Sequence, residues 1–215
     1  MRVKVRAAGN VPQEALDYFR KKKLAPDLDL DTVWGEEHNF AFTVAGVVAR
    51  DILEGFRVAV DRAIAEGVTF EEFAKDENIK RVMAALGWWS VSESGKTPPV
   101  PHRLRIVYDT NMRVARAAGQ WARIQRTKDA LPFLVYELGP SSVHRPVHVS
   151  WEGTVLPADD PWWNTHMTPN GYGCKCRVRQ ISRSEAETIG ISERAPDGQP
   201  DEGWDHNPGA EPRPL

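Results

Sequence analysis

At 215 residues the chain is long enough for one large domain or two small ones, with a core that needs neither a metal nor a disulfide to form. Hydrophobic residues at 41% and charged residues at 27% exclude a disordered or collagen-like polymer, and a formal net charge of -2 excludes a uniformly basic glove for nucleic acid. No run of about 18 apolar residues occurs, and Met1-Arg2-Val3-Lys4-Val5-Arg6 has charge without an apolar stretch behind it, so neither a membrane span nor a signal peptide is expected. Two cysteines are too few for a disulfide scaffold, which leaves reduced thiols or metal ligands in a reducing, cytoplasmic setting.

The small net charge conceals segments of opposite sign: residues 1–23 carry +5, 26–77 carry -9, 103–128 carry +6 and 183–215 carry -5. Such blocks suit either solvated helix faces or a component that meets several charged surfaces.

In chain order, Pro12 followed by Ala15, Leu16, Tyr18, Phe19 and Leu24 predicts a short amphipathic helix ending in lysines, a docking helix or arm. Pro26-Asp27-Leu28-Asp29-Leu30-Asp31 reads as a linker. From Phe42, apolar Val48, Ile52, Phe56, Val60 and Ile64 repeat at four-residue spacing up to Gly67, which predicts a helix. Thr69 with Glu72 forms a capping box for a second helix running to Leu86, stopped by Gly87, so the two make a hairpin. Trp88-Trp89 reads as a hydrophobic plug. Gly95-Lys96-Thr97 lacks the earlier glycine of a phosphate loop, and Pro98-Pro99 replaces the helix that should follow, so no nucleotide site is expected.

A long helix is predicted from His102 to Thr127, with Leu104, Val107, Tyr108, Ala115, Ala118 and Ala122 on one face. Arg105, Arg113, Arg116 and Arg123 fall close to one stripe of it, either to bridge the acidic hairpin or to bind nucleic acid or an acidic partner. After Lys128 the pattern alternates: strands are expected at Phe133–Leu138, at Lys175–Ile181 and, as a bent strand or hairpin with Gly153, over Val149–Leu156. Ser182 with Glu185 caps a last short helix, and the chain beyond Ala195 is expected to drape on a neighbour or be mobile. The fold class is α+β, with a helical hairpin and long helix ahead of a small β-containing unit and an irregular tail.

Metal-capable side chains concentrate between His144 and Arg179. His148, His166, Cys174 and Cys176 match the nitrogen and sulfur ligands of tetrahedral zinc, although one residue between the cysteines is tighter than the usual two to four. Both thiols can serve one ion if they share a strand face or the chain turns, and four protein ligands would leave no open position, which makes such a zinc structural. The competing reading is two small buried cysteines with the histidines as surface residues; a disulfide across so small a ring ranks last. Neither the His-x-Glu with Pro-Cys-x-x-Cys of zinc deaminases nor a His-Glu-x-x-His protease motif is present, and Asp159-Asp160-Pro161 reads as a turn before it reads as an acid–base pair. No catalytic residues are assigned and the chain is expected not to be an enzyme.

Four stretches carry a resemblance: Phe42-Thr43-Val44-Ala45; Ile124-Gln125-Arg126-Thr127-Lys128-Asp129-Ala130-Leu131-Pro132; Arg145-Pro146 through His148, Gly153 and Asp160-Pro161 to Pro169-Asn170-Gly171-Tyr172-Gly173-Cys174-Lys175-Cys176; and Gly203-Trp204-Asp205-His206-Asn207-Pro208-Gly209. In order and residue type the chain resembles the phage Mu F-like minor head proteins, the head morphogenesis family. The resemblance implies a structural component of head assembly, partnered by the portal protein and by capsid or scaffold proteins, and placed in the virion at the head interior or portal vertex after assembly in the host cytoplasm. Packaged DNA is a further partner it allows, membrane is not one, and its relatives fused to toxin domains carry the alternative of a metal-dependent enzyme. The expected organisation is a basic arm and linker over 1–30, a helical domain over 31–128, the Mu F-like domain with the His/Cys site over 129–195 and an acidic tail over 196–215.

Overall fold

The computed structural model describes residues 13–24, 41–42, 50–87 and 102–210. The expected linker after Pro26, the Trp88-Trp89 plug and the loop over 90–101 lie outside those residues.

The first half is helical. Helices α1 (Gln13–Lys21), α2 (Arg50–Glu66), α3 (Phe70–Phe73) and α4 (Glu77–Ala85) share one core with α5 (His102–Thr127), and the two-residue strands β1 (Lys23–Leu24) and β2 (Ala41–Phe42) pair in parallel beside them. The four-residue repeat of α2 buries Phe56, Val60 and Ile64 against Phe19, Phe73, Ile79, Met83 and Leu104. Burying side chains of this size contributes about 1.5–3 kcal/mol each. The capping box forms as the sequence predicts, with Thr69 Oγ1 accepting from the Glu72 amide. The helix behind it does not run through to Leu86, however. Asp76 accepts the Asn78 amide at 2.8 Å and starts α4 afresh, because a short acidic side chain satisfies an exposed helix start better than it fits a helix interior.

Helix α1 is not a free arm. Ala15 and Phe19 are buried, Glu14 pairs with Arg126 at 2.7 Å and Arg20 with Asp61 at 2.7 Å. The close approach is made at Gly119 of α5, where a β-carbon would sit 3.0 Å from the Ala15 backbone nitrogen. Three apolar positions on a nine-residue helix look like a docking face whether the partner is another protein or the chain's own long helix, and here it is the long helix.

The second half is a three-stranded antiparallel sheet in the order β4-β3-β5, formed by β3 (Phe133–Glu137), β4 (Val155–Pro157) and β5 (Arg177–Ile181). The stretch Val149–Leu156, expected as a bent strand or hairpin, begins instead within helix α6 (Pro146–Ser150). Pro146 at its first turn needs no amide partner, and only after the turn at Gly153, with φ +76°, does β4 begin. Helix α7 (Trp163–His166) lies between β4 and the cysteines, and α8 (Arg183–Ile189) follows β5, its Glu185 amide held by Ser182 Oγ at 3.2 Å.

Helix α5 belongs to both halves. Past Ala118 its polar side chains reach the sheet: Gln120 donates to the Val178 carbonyl, Thr127 to Gln180 Oε1 at 2.9 Å, and Gln180 returns a bond to the Leu131 carbonyl at 2.9 Å. Ile124 of α5 packs beside these bonds in one cluster with Leu134, Tyr136 and Val178.

Lys22 at the end of α1 is 6% exposed with its ammonium 5.0 Å from the centre of the Tyr18 ring, and burial pushes its pKa down to about 7. The unfolded chain takes up this proton below pH of about 10.4 while the folded chain resists it down to about 7, so Lys22 costs stability as pH falls through that window. Lys22→Met is expected to melt higher than the wild type at pH 7, with the gap closing above pH of about 10 in thermal denaturation series.

Candidate metal centre

The antiparallel register sets Tyr136 of β3 against Val178 of β5. Since side chains alternate along a strand, Val178 shares the sheet face that carries Tyr136, and in the loop entering β5 Cys174 is buried and Cys176 half-buried while Lys175 and Arg177 are exposed. Helix α6 brings His148 over the same face. Its Nδ1 lies 3.8 Å from Cys174 Sγ and 3.7 Å from Cys176 Sγ, and the three ligand atoms fall within 4.8 Å of one another. His148 and Cys174 are buried and Cys176 half-buried.

These distances fit a soft cation. Zinc–sulfur bonds of about 2.3 Å and zinc–nitrogen bonds of about 2.0–2.1 Å at tetrahedral angles separate sulfur from nitrogen by roughly 3.6 Å. Two thiols and one imidazole are also the donor set such ions prefer.

The environment favours negative charge on sulfur. Cys176 is held down at about 4 by hydrogen bonding from Cys174 and, against burial, by His148 and Tyr136. Cys174 is pushed up, because it carries the proton shared with Cys176 and is itself buried. A divalent cation between the two sulfurs would take the place of a shared proton.

His166, expected as a fourth ligand, stands outside this group. Its Nδ1 faces Thr165 Oγ1 at 2.7 Å and the Trp162 carbonyl at 3.2 Å, its Nε2 faces the Gly198 carbonyl at 3.3 Å, and its ring stacks on Trp162 with centroids 4.2 Å apart. Burial lowers its pKa against the pull of the two carbonyls, so it is a neutral packing residue. His148 stacks on Trp151 at 5.0 Å, and Trp151 meets His166 edge-on at 4.8 Å, so the two histidines are separated by an indole rather than joined by an ion.

The arginine stripe divides in two. Arg105 lies over the Phe70 ring at 3.8 Å and reaches Glu71 at 3.7 Å, in keeping with a bridge to the acidic hairpin. Arg113 donates to the Cys174 carbonyl at 3.0 Å, which ties α5 to the loop that carries the thiols. Arg116 and Arg123 are exposed. Asp160 accepts the Trp162 amide at 2.9 Å and Asp159 pairs with Lys128 at 2.6 Å, so both carboxylates are engaged in local structure.

The segment from Asp197 to Gly209 straps this unit instead of trailing from it. Trp151 Nε1 donates to the Asp197 carbonyl at 3.0 Å, Arg145 grips Asp201 at 2.7 Å and the Tyr172 carbonyl at 3.0 Å, and Asn207 donates to the Trp163 carbonyl at 3.1 Å. Trp204, His206 and Asn207 are buried. Acidic and Pro/Gly-rich composition suggests a loose tail, but the buried tryptophan and polar residues supply specific anchors that composition averages away.

A family model described as phage Mu protein F like protein matches residues 54–179. The chain is 34% identical over 193 residues to a protein of Escherichia phage Mu provisionally named capsid assembly protein F, covering 86% of this chain and 44% of that protein. It is 32% identical over 166 residues to the Mu-like prophage FluMu F protein of Haemophilus influenzae, covering 75% of this chain and 40% of the relative. The chain therefore spans less than half the length of these curated relatives. No solved structure matches it.

Gly198 has φ +109°, and a β-carbon there would lie 2.5 Å from Val147 Cγ2 of α6. Gly198→Val is expected to lose about 1–3 kcal/mol of stability and to open the strap to protease in limited digestion. Unchanged digestion would separate the strap from the stability of the site.

Proposed function

The chain belongs to the phage Mu protein F-like family, and on that premise we propose that it acts in phage head morphogenesis as a structural assembly component of the capsid and not as an enzyme. The observation that carries this reading is the similarity over 193 residues to a phage Mu protein named for capsid assembly. Portal protein and capsid or scaffold proteins are its proposed partners, at the head interior or portal vertex, with assembly in the host cytoplasm.

Within that role, His148, Cys174 and Cys176 hold a zinc ion that joins α6 to the entry of β5; with His166 outside the shell its fourth position falls to water, and the structural role rests on the cross-link between the two segments. Three convergent soft ligands behind indole rings support the ion, and His166 packs beside them. Bound there, zinc would supply a cross-link between segments 26 residues apart in sequence, those of His148 and Cys174. A second reading rests on Arg116 and Arg123, which lie exposed on one face of α5 and offer two positive charges to DNA or an acidic partner. Salt-sensitive retention on DNA, weakened by Arg116→Ala with Arg123→Ala, would favour it.

The assembly role is tested by complementing a Mu-like phage that lacks its own F protein with variants placed in the corresponding region. Purified wild-type chain is expected to carry about one zinc, lost in Cys174→Ser and His148→Ala and kept in His166→Gln. Cys174→Ser is expected to reduce head yield in electron micrographs by about tenfold or more, whereas Asp159→Asn and Asp160→Asn leave it intact, since each asparagine retains an acceptor oxygen. Normal heads from the cysteine variant would overturn the structural-zinc role. Normal but non-infectious heads from an aspartate variant would favour an enzyme.

A further inference from the structure

The backbone directions in the three-stranded sheet leave one of its edges available. Tyr136 turns both of its groups toward β4, its N–H to the Thr154 carbonyl at 3.0 Å and its C=O to the Gly153 N–H at 2.9 Å. In an antiparallel sheet these directions alternate along each strand, so Phe133, Val135 and Glu137 face β5, and their partners Ile181, Arg179 and Arg177 face back. Val178 and Gln180 therefore aim their N–H and C=O groups outward. Among the described residues one of these groups has a protein partner, the Val178 carbonyl, which accepts from the Gln120 amide. The opposite edge is closed. On β4 the Val155 N–H meets Ser192 Oγ at 3.0 Å, the Val155 C=O meets the Ser192 N–H at 2.9 Å, and the Pro157 C=O takes the Trp163 indole N–H at 3.0 Å. An edge left open in this way is a template for a further strand.

The helix beside that edge supplies charge. Gln120 and Thr127, which bond to Val178 and Gln180, lie on one stripe of α5 with Arg116 and Arg123. Arg105, Arg113 and Arg126 each have a carboxylate partner, in Glu71, Asp109 and Glu14, whereas Arg116 and Arg123 are exposed and have none among the described residues. We propose that the outer edge of β5 is the docking site of an extended, acidic segment of a partner protein, which adds to the sheet as a fourth strand with its carboxylates on Arg116 and Arg123. The proposal rests on the arginine reading above and is independent of the zinc centre. A partner strand brings N–H and C=O groups to match the edge, and its carboxylates match the guanidinium groups. DNA would satisfy the two arginines but set phosphate oxygens, which are acceptors, against the Gln180 carbonyl, which is another. A second copy of this chain would bring two arginine pairs of like charge together, because an edge-to-edge contact between copies is self-complementary.

The test uses the full chain with zinc supplied and fluorescent probes: a peptide alternating glutamate with threonine, its counterpart alternating lysine with threonine, and a short DNA duplex. The glutamate peptide is expected to bind, about tenfold more weakly when Arg116→Gln and Arg123→Gln are combined, and the lysine peptide is expected not to bind. N-methylation of all the glutamates, or of all the threonines, blocks the N–H groups on one side of the strand at a time. One of those two peptides is expected to lose binding and the other to keep it. In hydrogen exchange the Val178 and Gln180 amides are expected to gain protection with the peptide, while Arg179 and Ile181, bonded to β3, are protected throughout; this readout needs no variant of the chain to fold. Binding that survives both methylations and leaves Val178 and Gln180 unprotected overturns the added strand, while the arginines remain a site for acidic partners. DNA bound through the two arginines in place of the acidic peptide overturns the proposal in favour of nucleic acid. Binding of neither overturns the proposal and the arginine reading together.

Discussion

Two sulfurs and one imidazole nitrogen held within 4.8 Å of one another in a mostly buried pocket form the constraint around which the second half of the molecule is arranged. Like charges cannot both develop on sulfurs that close without a cation or a proton between them. The hydrogen bond between the two thiols, together with burial, pushes Cys174 up, and the same bond holds Cys176 down. The register that sets Tyr136 against Val178, the Pro146 start of α6 and the Arg113 bond to the Cys174 carbonyl all fix where the three groups meet. In the proposed reading the ion completes that arrangement, and losing it would release α6, the loop before β5 and the strap together.

Helix α5 transmits this arrangement to the rest of the chain. Its first half belongs to the helical core, with Leu104, Met112 and Ala115 buried, and its second half joins the sheet through Ile124, through the Gln120 bond to the Val178 carbonyl and through the Thr127 bond to Gln180. One helix shared by two cores needs no linker between them.

Much of this was legible in the sequence, wherever a local rule decides the outcome. The four-residue period of α2, the capping pairs Thr69–Glu72 and Ser182–Glu185, and the stops at Gly67 and Gly87 each involve residues within a turn of one another, and each appears as expected. The cysteines with His148 were legible because few residue types ligate soft metals. His166 was misleading for the same reason: imidazole also stacks well, and its placement against Trp162 follows from tertiary packing that spacing does not encode. Helix α6 was hidden by the β-branched Val147 and Val149, whose strand preference yields to the proline before them and to the burial of His148. Gln120 and Thr127 read as gaps in an arginine stripe, yet they are the residues that hold the sheet, and only the fold reveals which polar side chains face it.

The most direct measurement of the proposed centre is X-ray absorption at the zinc edge of the loaded protein. The expected result is a shell of two sulfurs at about 2.3 Å with imidazole scattering from one histidine, because His148 is the one histidine brought to the cysteines among the described residues. Scattering from two histidines would return His166 to the coordination shell, and a shell of nitrogen and oxygen without sulfur would contradict the centre altogether.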